Sequence, residues 1–110
     1  MAKILWVDDI RKPPNETDYI WVKSVNEAKR EIQDIEFYCQ ADGTDWLAIC
    51  LIDIDHDAGD YAKDGGDYIK LLDWLEETGR NYPIRIHSMN NVGRQNMRTI
   101  IQHNGWKEVL

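Results

Sequence analysis

The sequence has 110 residues, a formal net charge of -7 at pH 7 and a hydrophobic fraction of 43%. This length predicts one domain, spanning residues 1–110, that buries enough surface to fold without disulfides. The acidic balance disfavours general binding to nucleic-acid backbone or to anionic membranes, because both depend on a basic surface. A small phosphorylated ligand stays compatible with this charge, since a site can be locally positive.

The composition predicts a cytoplasmic protein. The first three residues lead into a short apolar run rather than into a secretory signal. No apolar run approaches the roughly 20 residues that cross a membrane. The two cysteines, Cys39 and Cys50, lie in apolar contexts and are predicted to be reduced structural thiols.

Apolar periodicity predicts five strands and three helices. The strands are predicted at Lys3–Val7, Tyr19–Lys23, Leu47–Ile54, Ile84–His87 and Trp106–Leu110. The helices are predicted at about 24–38, 67–79 and 91–103, with caps at Ser24 and Asn91. The prolines at positions 13 and 14 exclude a helix between the first two strands. Strands that alternate with helices imply a mainly parallel sheet with right-handed crossovers.

Polar side chains follow three of the predicted strands. Asp8 and Asp9 follow the first, the segment Asp53–Asp57 ends the third, and His87 with Ser88 ends the fourth. Ligands of parallel sheets bind at the carboxyl ends of the strands. Burying an unpaired carboxylate is costly, so these acids must face solvent, a metal or a ligand. We therefore expect the three strand ends to form one site.

This arrangement resembles the receiver domains of response regulators, with Asp8 and Asp9 as the acidic pair and Ser88 as the hydroxyl after the fourth strand. The resemblance implies a three-layer, flavodoxin-like α/β fold without the first and last receiver helices. Its five-stranded, mainly parallel sheet would have the order 2-1-3-4-5. It also implies Mg²⁺ held by the acids and a phosphate-accepting aspartate, which the receiver pattern places at Asp53. The receiver lysine at the end of the fifth strand has no counterpart, because Lys107 lies at the start of that strand.

Four motifs, in order, resemble the cyclic-phosphate-processing receiver-like domains, which are small bacterial and phage proteins. The motifs are D-D-I-R-K-P-P at 8–14, D-H-D-A-G at 55–59, D-G-G-D-Y-I at 64–69 and H-S-M-N-N-V-G-R-Q-N-M at 87–97. The family is linked to the processing of cyclic phosphate ends or related phosphoesters in RNA repair or nucleotide signalling. Its pattern makes the D-H-D string central, which favours Asp55 over Asp53 as the central acid. The family's usual proline after H-S-x-N is Asn91 here.

The side chains at these strand ends fit phosphoester chemistry. Asp8, Asp9 and Asp55 offer the carboxylate oxygens that Mg²⁺ or Mn²⁺ prefers. Histidine titrates near neutral pH, so His56 and His87 are candidates for general base and general acid.

Further groups are candidates for binding the phosphate or for supporting the acids. The phosphate-binding candidates are Arg11, Ser88, Asn90, Gly93 and Arg94. Arginine pairs with phosphate oxygens in bidentate geometry, and the start of the third helix attracts anions. Asp53 and Asp57 are secondary candidates.

Three functions remain open on the sequence. The first is a phosphoesterase that acts on a cyclic phosphate or similar nucleotide end and depends on a metal and on histidines. The second is a non-catalytic binder of a phosphorylated nucleotide, and the third is a phosphate-accepting receiver of a signalling system. The expected partner is a small phosphorylated nucleotide or an RNA end. Purely structural roles are also open, with Asp8 and Asp9 capping a loop, the D-H-D string solvated, His87 in the core and Arg11 paired with an acid.

Overall fold

The computed structural model describes residues 2–42 and 48–110. The strands are β1 (Lys3–Val7), β2 (Tyr19–Val22), β3 (Ile49–Ile54) and β4 (Ile84–Ile86). The helices are α1 (Val25–Asp42), α2 (Ile69–Glu77) and α3 (Asn91–Asn104), with a 3-10 turn at Gly59–Lys63. All strand pairings are parallel, as predicted, and the sheet order is β2-β1-β3-β4. The predicted start of the third strand, Leu47, lies outside the described residues.

The predicted fifth strand, Trp106–Leu110, is wrong, so within the described ranges the sheet has four strands in the order 2-1-3-4. This segment makes a single isolated bridge, between Glu108 and Ile84. Its apolar pattern has another cause, because Trp106 is buried in the helical core while Leu110 is exposed. A bidentate ion pair between Arg98 and Glu108 holds the segment in place.

All three helices pack against one face of the sheet. Alternate strand residues and one side of each helix form a single core. Its strand members are Leu5, Val7, Val22, Ile52, Ile54, Ile84 and Ile86, and its helical members include Val25, Ala28, Ile32, Leu71, Leu72, Leu75, Met97 and Ile101. The predicted three-layer arrangement is therefore wrong for the described elements, which form two layers. The three helices fill one face, so the missing receiver helices leave the second face without a helical layer.

The second face carries aromatic side chains and is covered by a loop. The parallel register pairs Trp6 with Trp21, and both alternate with core residues, so both indoles project from this face. Residues 8–18 form no helix, as the two prolines predicted. Trp6 Nε1 donates to the carbonyl of Arg11 (2.8 Å), and Trp21 Nε1 donates to the carbonyl of Asp8 (2.7 Å). These two hydrogen bonds hold the loop against the sheet.

Side-chain caps begin two of the helices. Ser24 Oγ accepts the backbone N–H of Glu27 (3.0 Å), which confirms the predicted cap of α1. The cap of α3 is Asn90, whose Oδ1 accepts the N–H of Gly93 (2.9 Å), and the predicted cap, Asn91, is instead the first helical residue. An asparagine at either position satisfies the pattern, so the sequence left the helix start ambiguous by one residue.

Two further findings bear on the environment of the chain. No helix in the described part of the chain combines the length and the apolar character needed to cross a membrane. Cys39 and Cys50 are free thiols, and Cys50 is exposed rather than packed in an apolar context.

Candidate functional site

Three carboxylates meet at the carboxyl edge of the sheet. Asp8 and Asp9 follow β1, and Asp55 follows β3. The backbone N–H of Asp55 donates to the carbonyl of Val7 (2.9 Å), which fixes the two strand ends side by side. One oxygen from each of the three carboxylates lies within 4.8 Å of the others. We refer to Asp8, Asp9 and Asp55 as the acid trio.

Asp8 is the most constrained member of the trio. Its side chain is nearly fully buried, and its Oδ1 accepts the backbone N–H groups of Ile10 (3.0 Å) and Arg11 (2.9 Å). Its Oδ2 lies 2.9 Å from His87 Nε2. Asp8 therefore caps the loop that follows β1, and the same bonds fix its carboxylate at the edge of the site.

Asp9 is held close to its neighbours against their repulsion. Partial burial raises the pKa of Asp9, and the charges of Asp8 and Asp55 raise it further. Gly59 lies beside it with φ +56°, and a Cβ at that position would be 2.5 Å from Asp9 Oδ2. The D-A-G turn thus needs glycine because it closes on this carboxylate. The trio fits a hard divalent cation, since its donors are carboxylate oxygens and a cation would offset the repulsion that acts on Asp9.

His87 lies between two carboxylates, and its ring stacks on a tryptophan. Its Nδ1 is 2.6 Å from Asp53 Oδ1, and its Nε2 is 2.9 Å from Asp8 Oδ2. Its ring stacks on Trp6, with centroids 4.1 Å apart and an interplanar angle of 6°. Burial by itself lowers the pKa of His87, but the hydrogen bonds and charges of Asp53 and Asp8 outweigh it, so the pKa is raised. Both ring nitrogens are occupied, which favours a role in supporting Asp8 over proton transfer to a ligand.

Asp53 belongs beneath the site rather than in it. Its side chain is 2% exposed and is bonded to His87, while Arg85 Nη1 lies 4.0 Å from its Oδ2. Asp55, two residues later, is half-buried and contributes to the acid trio. The geometry therefore favours Asp55 as the central acid, as the D-H-D pattern indicated.

His56 lies next to the trio with one ring nitrogen available. Its backbone N–H donates to Asp55 Oδ1 (2.8 Å), and its Nδ1 is 2.9 Å from Oδ1 of the exposed Asp57. No hydrogen-bond partner of His56 Nε2 occurs among the described residues. Its ring packs on the first turn of α3, where a Cβ at Gly93 would be 2.4 Å from His56 Cγ.

Ser88 and Asn90 build the loop between β4 and α3. The Ser88 side chain is nearly fully buried, and its Oγ accepts the backbone N–H of Asn90 (3.0 Å). Asn90 caps α3, and its Nδ2 lies 3.5 Å from His56 Nδ1. These two side chains therefore fix the first turn of α3, on which the His56 ring packs.

The two candidate arginines lie in different surroundings. Arg11 is exposed and lines an open cavity of about 260 Å³ together with the acid trio. Arg94 is half-buried on α3. The hydrogen-bonded Arg98 lowers the pKa of Glu108, and the charge of Arg94 adds to that effect. Among residues 2–42 and 48–110, neither Arg11 nor Arg94 forms an ion pair with the trio.

The model of the cyclic-phosphate processing receiver domain matches residues 3–103 of the chain. The chain belongs to this family. No curated protein and no solved structure matches the chain. The family assignment covers all three strand ends and both histidines next to the acids.

Several residues of this cyclic-phosphate processing receiver domain support the site without having been singled out from the sequence. Trp6 covers His87, Trp21 fixes the Asp8 carbonyl, and Gly59 makes room for Asp9. Tyr68 is fully buried, its hydroxyl donates to the carbonyl of Lys23 (2.7 Å), and its pKa is raised by burial and by the charges of the trio. The available signal was a tryptophan in each of the first two strands, Trp6 and Trp21, which the high tryptophan count of the chain obscured.

We expect Gly93→Ala to destabilise this receiver domain by about 1–3 kcal/mol, the usual cost of overpacking. Glycine-to-alanine changes inside a helix normally stabilise by up to about 1 kcal/mol, so the sign itself is informative. The added methyl would force the His56 ring away from Asp57. Urea denaturation measures the stability, and ¹⁵N shifts of the imidazole report the ring position.

The matched control for this change is the same substitution in a His56→Ala background. There the clash is absent, so Gly93→Ala should become neutral or stabilising, and the double-mutant cycle isolates the contact. Equal effects of Gly93→Ala in both backgrounds would show that His56 does not rest on Gly93.

Proposed function

We propose that this receiver domain is a metal-dependent phosphoesterase that acts on a cyclic phosphate end of a nucleotide or on a related phosphoester. One observation carries the proposal: the acid trio has oxygens within 4.8 Å of one another, and the next residue after Asp55 is His56, whose backbone N–H donates to Asp55 Oδ1. The family's association with cyclic-phosphate processing supports it. Mg²⁺ or Mn²⁺ held by the trio would supply Lewis-acid stabilisation of charge on a phosphate oxygen.

His56 is the residue proposed to move protons. Asp57 next to Nδ1 favours the tautomer that carries its proton on Nδ1, which leaves the lone pair on Nε2. Nε2 would then accept a proton from water, a general-base role worth about 10²–10⁴-fold in rate. Arg11, exposed at the cavity of the acid trio, would neutralise phosphate oxygens through its guanidinium.

His87 is proposed to hold Asp8 rather than to react. Its two nitrogens face Asp8 and Asp53, and Trp6 covers one face of its ring. The hydrogen bond between His87 Nε2 and Asp8 Oδ2 would hold the Asp8 carboxylate in the orientation of a metal ligand. This role also gives Asp53 a function, since its hydrogen bond and its charge raise the pKa of His87.

A phosphate-accepting receiver is the second candidate, because Asp55 is half-buried beside the acidic pair. The position of Lys107 disfavours it. The carbonyl of Lys107 accepts the N–H of Ile84, the first residue of β4, so Lys107 lies at the opposite end of the sheet from Asp55. Receivers, by contrast, carry a lysine at the carboxyl end of the last strand, next to the acids.

The test is turnover of 2′,3′-cyclic nucleotides and of cyclic dinucleotides in Mg²⁺, Mn²⁺ or EDTA, with thermal shift recorded in parallel. We expect turnover only with a metal ion. A nucleotide-induced thermal shift without turnover would support the binder instead. Labelling by acetyl phosphate that is lost in Asp55→Asn would support the receiver.

The proposed metal site predicts opposite effects of Asp9→Asn with and without metal. In EDTA the substitution should raise the melting temperature, because it removes a carboxylate whose ionised form is disfavoured by burial and by its neighbours. With Mn²⁺ it should weaken metal binding by more than about tenfold, measured by calorimetry. Asp60→Asn, an exposed acid in the 3-10 turn, is the control and should change neither value. Unchanged Mn²⁺ affinity in Asp9→Asn would refute the site.

A further inference from the structure

A second cavity lies on the face of the sheet that has no helical layer. It measures about 550 Å³ and is lined by Tyr19 and Trp21 of β2 and by loop residues 12–16. We call it the aromatic cavity. We propose that it binds the nucleobase of a ligand whose phosphate lies at the acid trio. This inference rests on the proposed function for the phosphate, and it adds the part of the ligand that the trio does not recognise.

The two cavities are neighbours along one loop. Residues 8–11 line the cavity of the acid trio, and residues 12–16 line the aromatic cavity. Trp21 borders the aromatic cavity, and its Nε1 donates to the carbonyl of Asp8 (2.7 Å), whose side chain belongs to the trio. Arg11 lines one cavity and Lys12, the next residue, lines the other, so the two cavities adjoin along the loop. A nucleotide fits this arrangement, with a charged phosphate at one end and a flat ring at the other.

The lining of the aromatic cavity suits a flat, uncharged ring with polar edges. Trp21 and Tyr19 supply aromatic surface on which a base can stack. Lys12 and Glu16 contribute one charge of each sign, which does not favour a second phosphate. Asn15 Oδ1 accepts the N–H of Asp18 (2.8 Å), so its amide N–H₂ remains as a donor for the edge of a base.

The aromatic cavity is also preorganised. Tyr19 packs edge-on against Trp6, with ring centroids 5.8 Å apart. Pro13 and Pro14 restrict the backbone of the loop that lines the cavity. A volume of about 550 Å³ lies within the range of small-molecule sites. Binding would therefore need little ordering of the protein, which favours affinity.

The experiment compares adenosine 2′,3′-cyclic phosphate with methyl riboside 2′,3′-cyclic phosphate, which has no base. Dissociation constants are measured on the full chain with Mn²⁺. We expect the base to tighten binding by about tenfold or more, as base stacking on aromatic side chains does. A short RNA that ends in the same cyclic phosphate tests whether the ligand is a free nucleotide or an RNA end. Tighter binding with the base than without it, in either ligand, supports the inference, and measurable binding that is equally tight with and without the base in both overturns it.

The key variants are Trp21→Phe and Trp21→Leu. Both lose the indole N–H that bonds to the Asp8 carbonyl, so any damage to the acid trio is common to them and their difference isolates the aromatic ring. We expect Trp21→Phe to retain most of the gain from the base and Trp21→Leu to lose it. The affinity for the riboside without a base should be the same in the two variants. Equal loss of the gain from the base in Phe and Leu would overturn the inference.

Failure of the inference and failure of the proposed function give different results. Turnover of both cyclic phosphates with equal affinity would support the phosphoesterase and overturn the base site. If neither cyclic phosphate is bound or turned over, the phosphoesterase fails. Adenosine alone, at millimolar concentration, then decides the base site. A shift of the Trp21 indole N–H signal, assigned by its loss in Trp21→Phe, supports the site, and an unchanged signal overturns it.

Discussion

Replacing His87 with leucine is expected to lower the free energy of unfolding by about 3–5 kcal/mol, the usual cost of breaking a buried ion pair from one side. In the folded chain His87 bridges Asp53 and Asp8, and each carboxylate is only 2% exposed. Leucine occupies a similar volume but donates no hydrogen bond, so both carboxylates would lose this partner. Urea denaturation in EDTA measures the loss without interference from a bound metal ion.

Two controls separate this effect from a general loss of packing. His103→Leu, at an exposed position in the last turn of α3, should cost less than about 1 kcal/mol. His87→Leu combined with Asp53→Leu should be more stable than His87→Leu alone, because one of the two stranded carboxylates is gone. If His87→Leu is as stable as the parent, the carboxylates do not depend on the histidine, and its proposed supporting role is wrong.

The same bridge predicts a loss of stability on the alkaline side. The pKa of His87 is raised above its ordinary value of 6.5, because the bonds and charges of Asp53 and Asp8 outweigh burial. Folding therefore favours the protonated ring. This contribution is fully present below pH 6.5 and disappears as the pH rises through the pKa of the folded state. The stability difference between the parent and His87→Leu, measured in EDTA from about pH 6 to 10, should narrow as the pH rises.

The acid trio was predictable because two regularities fixed it. Short apolar runs separated by helices imply parallel strands, and parallel strands bring their carboxyl ends to one edge. Asp8, Asp9 and Asp55 directly follow such runs, so their meeting required no detail of packing. The preference for Asp55 over Asp53 rested on the family resemblance alone, and the structure supplies its physical reason. Because side chains alternate along a strand, both residues point to the same face of the sheet. Only the structure shows that Asp53 is bonded to His87.

The loop that covers the second face of the sheet could not be predicted from the sequence. Trp6 projects from this face and is buried there. The cover, however, is a loop held by two indole N–H groups rather than a helix. A hydrogen bond from a tryptophan to a backbone carbonyl several residues away leaves no periodic trace in the sequence. The prediction of a fifth strand was wrong for a related reason, since Trp106 is apolar because it packs in the core.

Replacing His56 with alanine is expected to lower kcat by about 10²–10⁴-fold, the usual contribution of a general acid or base. KM should change little, because His56 is proposed to stabilise the transition state and not the bound substrate. Turnover of a 2′,3′-cyclic nucleotide with Mn²⁺ measures both constants. Calorimetry on the same variant should give an unchanged Mn²⁺ affinity, since His56 is not a member of the acid trio.

The two histidines near the trio should therefore fail in different ways. Loss of His56 removes a reacting nitrogen from a folded, metal-competent protein. Loss of His87 removes the hydrogen-bond partner of Asp8 Oδ2, so metal affinity and stability should fall together with activity. His103→Ala, distant in sequence and exposed, is the control and should leave all three properties unchanged.

Asp57→Ala provides an intermediate case that tests the orientation of the ring. Asp57 bonds to His56 Nδ1 from an exposed position, so its removal frees the ring without removing Nε2. A smaller loss of kcat in Asp57→Ala than in His56→Ala would support His56 as the base. Full activity in His56→Ala would contradict it. Catalysis would then have to come from the acid trio and Arg11 alone, because both nitrogens of His87 are already bonded to carboxylates.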